Sequence, residues 1–264
     1  MARGRGLRDR GERNEDRHHR RYRSDRFEIG PLLASRGHEV LQASPSRGVN
    51  AVTGEGLQPA LVGADIVVDV SNSPSFEDEA VLHFFETGTR NLIAAAKQAG
   101  VRHCIALSIV GTDRLESSGY FRAKLAQERL IENSGLAYTI LRATQFFEFV
   151  GAIADSGRRD GEVHVSSQLM QPLLSDEVVV ALADVTLGEP ANGIREVAGP
   201  EAAPLADFVG RWLRKQGDAS KIVAGADVPY FGAPLALRTL VPDDGARIMP
   251  TRFDDWLDGA VKTA

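Results

Sequence analysis

The sequence predicts an α/β protein: a parallel sheet with helices on both faces, followed by a small C-terminal lobe. Three observations carry this. Short apolar runs alternate with amphipathic stretches of helical period. The clearest run, ADIVVDV at 64–70, is nearly continuous in its apolar residues, as in strands buried on both faces. The spacing between runs is that of βαβ units, in which a helix carries the chain back to a parallel neighbour.

The elements follow in order. PLLASRGHEVLQAS at 31–44 reads as a helix end, a glycine stop and a buried strand over 38–43. The run at 64–70 is the next strand, with SNSPS (71–75) as the loop at its carboxyl end. VLHFFETGTRNLIAAAKQAG (81–100) has an apolar face and a terminal glycine, so it predicts a helix. HCIALSIVG (103–111) is a buried strand, FRAKLAQERLIENSG (121–135) a second helix, and LAYTILRAT (136–144) another strand. The acidic cluster at 76–79 suits a solvated helix start. Beyond residue 150 the pattern loosens. A helix is expected from Ser175, where Asp176 and Glu177 suit an N-terminus. A strand follows at 193–199, a helix at 204–217 and a short terminal helix from Phe253.

The chain has 264 residues, 43% hydrophobic and 25% charged, enough for one large domain with a modest lobe. A net charge of −5 argues against nucleic acid as a partner. Cys104 is the only cysteine, which excludes an internal disulfide and suits a reducing compartment. His103 and Cys104 are adjacent in a strand and face opposite sides, so no metal site is expected there. No apolar run reaches membrane-spanning length, and a cytoplasmic location is the expectation.

GHEV, ADIVVDV, GTRNLIAAAKQAGVRH, LSIVGTD, YFRAKLAQE, YTILRATQFFEF, SDEVVVALADV and EVAGPE occur in that order. In this order they resemble atypical short-chain dehydrogenase/reductases of the NmrA-like, NAD(P)H-binding kind, over about residues 37–257. The resemblance implies a Rossmann-like fold, with a dinucleotide-binding core over 29–150. Residues 151–264 would supply the remaining sheet elements and a substrate lobe. Members of this family reduce varied acceptors or merely sense the cofactor.

The departure lies at the N-terminus. Residues 1–28 are crowded with arginine and nearly free of aliphatic residues, so they supply no core strand. A dinucleotide fold needs a strand and a glycine turn there. Reading the codons of EDRHHRRYRSDRFE (15–28) one base forward, with permitted codon choices, yields KIVIIGGTGLIGSK. This is a strand followed by a glycine-rich fingerprint, at the spacing to GHEV of an intact helix. The expectation is a reading frame displaced over roughly residues 14–30, which the DNA sequence tests. The competing reading is a natural basic tail.

Tyr120 and Lys124 form a YxxxK pair on one face of a helix. The ammonium would favour the phenolate and touch a bound ribose. Ser108, Tyr120 and Lys124 match the Ser-Tyr-Lys pattern of the family. They imply proton transfer by Tyr120, electrostatic support by Lys124 and hydrogen bonding to the substrate oxygen by Ser108. A tyrosine capping a core, an exposed lysine and a strand-end hydroxyl fit the same residues. Ser44, Ser46 and Arg47 stand where an acid would favour NAD, so NADP(H) is preferred over NAD(H). By position in the fold, Val70 and Ser71 approach the adenosine, Leu107 the nicotinamide ribose, and Ala143 and Thr144 the nicotinamide. Gln145, Phe146 and Phe149 line a substrate pocket or pack as core. The functional expectation is hydride transfer from NADPH to a small organic carbonyl, quinone or related acceptor, by a monomer or homodimer. The alternative is a non-catalytic NAD(P)-binding regulator or redox sensor.

Overall fold

The computed structural model describes residues 29–259. Its helices are α1 Ile29–Ser35, α2 Leu57–Ala60, α3 Asp78–Ala99, α4 Gly119–Glu132, α5 Val150–Ser156, α6 Ser175–Leu187, α7 Leu205–Lys215 and α8 Phe253–Leu257. The strands are β1 Ile66–Asp69, β2 His103–Ile109, β3 Tyr138–Ala143, β4 Arg158–Arg159, β5 Glu162–Ser166, β6 Leu169–Met170, β7 Gly193–Ala198, β8 Ala203–Pro204, β9 Lys221–Gly225 and β10 Arg247–Ile248.

Five strands form one parallel sheet in the order β1-β2-β3-β7-β10. Parallel neighbours need crossovers, and α3 and α4 carry the chain from β1 to β2 to β3. The pleat sends alternate side chains to opposite faces. Ile105, Leu141 and Ala143 pack with Ile29 and Leu33 of α1 and Val178 and Leu182 of α6. Cys104, Ala106 and Ile140 turn the other way, against Ile131 of α4. The expected α/β architecture, with helices on both faces, is therefore present.

After β3 the chain builds the expected smaller lobe. β4, β5 and β9 form a second sheet, and β6 pairs with β8. Its core joins Phe147, Val150, Val163, Phe208 and Phe253 to Leu115 and Phe121, so the lobe packs onto the carboxyl end of the main sheet. Among the described residues, no helix is long and apolar enough to cross a membrane.

The helix end and glycine stop before residue 38 are present. Gly37 has φ +88°, and the amides of Gly37 and His38 return to Ala34 and Leu33 carbonyls at 3.0 and 3.2 Å. The buried strand expected at 38–43 is not. No strand forms there, and Leu41 is 66% exposed. A strand lasts only where its amides and carbonyls find a neighbour, and among the described residues none pairs with this segment. The run at 64–70 likewise reads as an interior strand, yet β1 is an edge among the described residues and only half-buried. The helices at 81–100 and 121–135 begin two to three residues earlier than the apolar stripe, at Asp78 and Gly119. The stripe marks only the packed face, not the first turn. The expectations for residues 1–28 lie outside the described residues, as does the chain beyond residue 259.

Candidate functional site

The carboxyl ends of β1, β2 and β3 lie side by side, and α4 packs along one face of the sheet with its first turns near those ends. Tyr120 is in the first turn of α4 and Lys124 one turn further on, so helical spacing brings them to one face. Lys124 is 3% exposed. Its Nζ donates to the Leu107 carbonyl at 2.8 Å and to Gln127 Oε1, and lies 4.6 Å from the centre of the Phe85 ring. Gln127 Nε2 donates to Asp69 Oδ2 at 2.9 Å, and Asp69 Oδ1 accepts the Ser71 amide. The ammonium is thus tied to the ends of both β1 and β2. Burial lowers its pKa to about 8, against the pull of Asp69 and Glu128.

Tyr120 donates its hydroxyl to Asn72 Oδ1 at 2.9 Å, in the loop after β1. Its ring packs edge-on against Phe85 and Phe121 and tilts against the exposed Phe76. The sequence reading has the lysine lowering the tyrosine pKa. In the structure burial pushes it up instead, and Lys124 is directed at Leu107 and Gln127.

Ser108 is buried and points to the α4 side of the sheet. Its Oγ donates to Glu128 Oε1, with Thr112 Oγ1 at 3.5 Å. Glu128 also takes a two-pronged contact from Arg142, at 3.0 and 2.6 Å, and Arg142 reaches Asp113 at 3.1 Å. Burial opposes the Arg142 charge, but Glu128 and Asp113 more than offset it and hold the guanidinium ionised. The serine is therefore held by a buried ion cluster and, among the described residues, shares no hydrogen-bond partner with Tyr120 or Lys124.

Beyond β3, Thr144 and Gln145 are buried at 1% and 6% exposure. Thr144 Oγ1 and both amide atoms of Gln145 have no hydrogen-bond partner. Buried polar atoms left unmet cost free energy unless something fills the gap. With the Lys124 ammonium across the sheet end, the residues present fit the nicotinamide and ribose end of a dinucleotide. Any glycine turn for its pyrophosphate would fall in residues 1–28, outside the described residues. Phe146 is half-buried, and Phe149 stacks on Phe231 with centroids 5.3 Å apart. Ser44, Ser46 and Arg47 form a single turn after residues 38–43, with the two serine oxygens 2.9 Å apart. Val70 and Ser71 follow β1, and Ala143 ends β3.

The sequence reading did not single out Asp69, Asn72, Gln127, Glu128 or Arg142. Gln127 and Glu128 carried a signal, since they stand three and four residues after Lys124 on the same helix. Their partners come from separate strands and loops, which no local spacing reveals.

The architecture is an α/β Rossmann-like fold. A family model described as NAD(P)H-binding matches residues 33–155. The Photosystem II assembly factor Ycf39 of Cyanophora paradoxa is 27% identical over 189 residues, which cover 70% of this chain and 58% of that protein. The chain thus spans less than two thirds of that relative's length. A (4-alkanoyl-5-oxo-2,5-dihydrofuran-3-yl)methyl phosphate reductase of Streptomyces griseus is 28% identical over 212 residues, covering 71% of each. Among solved structures, dTDP-4-dehydrorhamnose reductase of Bacillus anthracis in complex with NADP superposes with a TM-score of 0.67. It shares 13% identity, over 88% of this chain and 91% of that one.

Proposed function

We propose that the protein is an NADPH-dependent oxidoreductase of the NmrA-like kind, acting on a small organic carbonyl, quinone or related acceptor. One observation carries this reading. A buried lysine and a tyrosine hydroxyl converge at the carboxyl ends of the strands with the unmet polar atoms of Thr144 and Gln145. Ligands of open α/β sheets bind at such strand ends. Residues 29–150 hold the cofactor in this reading, and residues 151–264 complete the sheet and carry the substrate lobe.

The ammonium of Lys124 has three donors; two go to Leu107 and Gln127, and the third holds a ribose hydroxyl. Ala143 and Thr144 border the nicotinamide. Val70 and Ser71 border the adenosine, and Ser44, Ser46 and Arg47 take its 2′-phosphate, hence the preference for NADPH. The bound cofactor supplies the hydride. Tyr120 gives the balancing proton to the substrate oxygen, and Ser108 donates a hydrogen bond to that oxygen once released from Glu128. Gln145, Phe146 and Phe149 wall the substrate. Tyr120→Phe is expected to lower the rate of NADPH oxidation with an accepted substrate by about 10²-fold or more while leaving NADPH affinity unchanged.

The pyrophosphate needs a glycine turn opening onto a helix N-terminus. The displaced frame supplies it as GGTGLIG. The KIVII strand of that frame would lie between β1 and residues 38–43 in the usual strand order, covering the half-exposed β1 edge. Calorimetric titration with NADPH and NADH tests both ideas. It compares the chain as written with a chain carrying KIVIIGGTGLIGSK over residues 15–28. Binding by the restored chain alone supports the dinucleotide and displaced-frame readings together. Equal binding by both rejects the displaced frame, and binding by neither rejects the dinucleotide reading.

A second reading is favoured by the occupied hydroxyls: Ser108 is spent on Glu128 and Tyr120 on Asn72. That arrangement suits an NAD(P)-binding regulator without turnover, and one relative carries the name of an assembly factor. NADPH binding with no oxidation across a panel of quinones and carbonyls would select it.

A further inference from the structure

We infer that the C-terminal lobe contains a separate recognition site, a cavity that binds the oxyanion end of a small apolar or aromatic molecule. In the reductase this would be the non-reacting end of the substrate, a clause that rests on the proposed function. The cavity has a volume of about 150 Å³ and lies between α5, β4, β5 and the turn at 230–232. A space of that size holds one benzene-sized group.

Two features of the cavity are not explained by folding alone. The first is Phe231. Tyr230 and Ala233 exchange backbone hydrogen bonds of 2.8 and 3.0 Å across a two-residue turn. Both central residues have positive φ, +47° for Phe231 and +81° for Gly232. Such turns select asparagine, aspartate or glycine at the first position, because a bulky side chain there is strained. Phe231 is also 48% exposed, so its ring gains little from burial. It stacks on Phe149, which follows the end of β3, and so joins the cavity mouth to the candidate site. Strain held at an exposed aromatic is the kind of outlier that accompanies a ligand contact.

The second is the unequal treatment of two neighbouring arginines that line the cavity. Arg158 is saturated: it donates to Asp155 at 3.0 Å, Asp218 at 2.5 Å and Ser220 at 3.2 Å. Arg159 has no ion pair or hydrogen bond from its side chain among the described residues. Of the acids nearby, Asp155 and Asp218 are spent on Arg158, and Glu162 is spent on Lys221 at 2.7 Å and on His164 at 3.3 Å. Asp160 stands in the exposed β4–β5 turn. Gly157 pins this hairpin, since a Cβ there would sit 2.1 Å from the His164 carbonyl. The result is one arginine held by acids and its neighbour with no partner among the described residues, both bordering a cavity that Tyr230 and Phe231 also line. A planar guanidinium suits a phosphate or carboxylate, and Tyr230 and Phe231 suit its apolar stem.

Calorimetry on the full chain with phenyl phosphate and with benzoate tests the inference, the stronger ligand identifying the oxyanion. Arg159→Gln is expected to weaken binding about tenfold, the loss of one charge-assisted contact. Phe231→Asn is expected to weaken binding while raising Tm, because it relieves the turn. A merely structural phenylalanine would not separate the two readouts in this direction. Binding of neither probe, or unchanged affinity in both variants, overturns the inference. NADPH titration of the same proteins keeps the two readings apart. Intact NADPH binding with no probe binding removes only the lobe site, whereas probe binding with no NADPH binding even by the chain carrying KIVIIGGTGLIGSK over residues 15–28 removes only the reductase reading.

Discussion

Lys124 is the residue at which burial and chemistry oppose each other. Its ordinary pKa is 10.5, and burial brings it to about 8. Between these values the unfolded chain holds more protons than the folded one, so this group makes stability rise with pH across that window. The full rise is about 3 kcal/mol. Denaturant unfolding at pH 7.5 and pH 10 should show it, and Lys124→Met should remove it; a rise that survives the substitution would assign it to another group. If the charged form holds the ribose, NADPH affinity should fall as pH climbs through about 8. Glu128 belongs to the same scale. Glu128→Gln leaves Arg142 buried beside only half-exposed Asp113, and urea unfolding should report a loss of about 3–5 kcal/mol. A loss below about 1 kcal/mol would mean that Asp113 alone suffices. The sequence made Ser108, Tyr120 and Lys124 legible as a pattern. It did not reveal that the serine turns to Glu128 while the lysine turns to Leu107, because side-chain partners across a sheet are set by packing, not by spacing.

Elements were read best where their own periodicity suffices. α3, α4, α6, β2 and β3 carry an apolar stripe or run that identifies them, and each forms within a few residues of its expected span. Residues 38–43 and the run at 64–70 both read as buried strands, yet the first forms none and β1 is half-exposed. Strand formation depends on a neighbour, which a segment's own composition does not supply. The short strands β4 and β5 escaped the sequence reading for the same reason. They are joined by a hairpin with Asp160 and Gly161 at positive φ, and Gly157 lies hard against the His164 carbonyl. Gly157→Ala is expected to cost about 1–3 kcal/mol in thermal or urea unfolding, since a backbone carbonyl has to give way. An unchanged midpoint would mean that the hairpin shifts freely.

At the scale of the whole molecule, the main sheet and the lobe share a core across Phe121, Phe147 and Phe253, so the candidate site is bordered by both. Replacing residues 15–28 by KIVIIGGTGLIGSK should raise the thermal midpoint of the whole chain if the restored strand pairs with β1. An unchanged midpoint would count against the displaced frame even before cofactor is added. By itself the sequence determined the architecture: apolar runs and helical stripes are local patterns, and βαβ spacing leaves few ways to stack them. It also marked Ser108, Tyr120 and Lys124 as candidates for chemistry, because residue type and helical spacing are written in the chain. Only the tertiary structure decided, among the described residues, which strand is an edge, which hydroxyl is already spent, and which polar atoms of Thr144 and Gln145 are left without a partner. Those are properties of neighbours brought together from distant parts of the chain, where burial makes each unmet group costly.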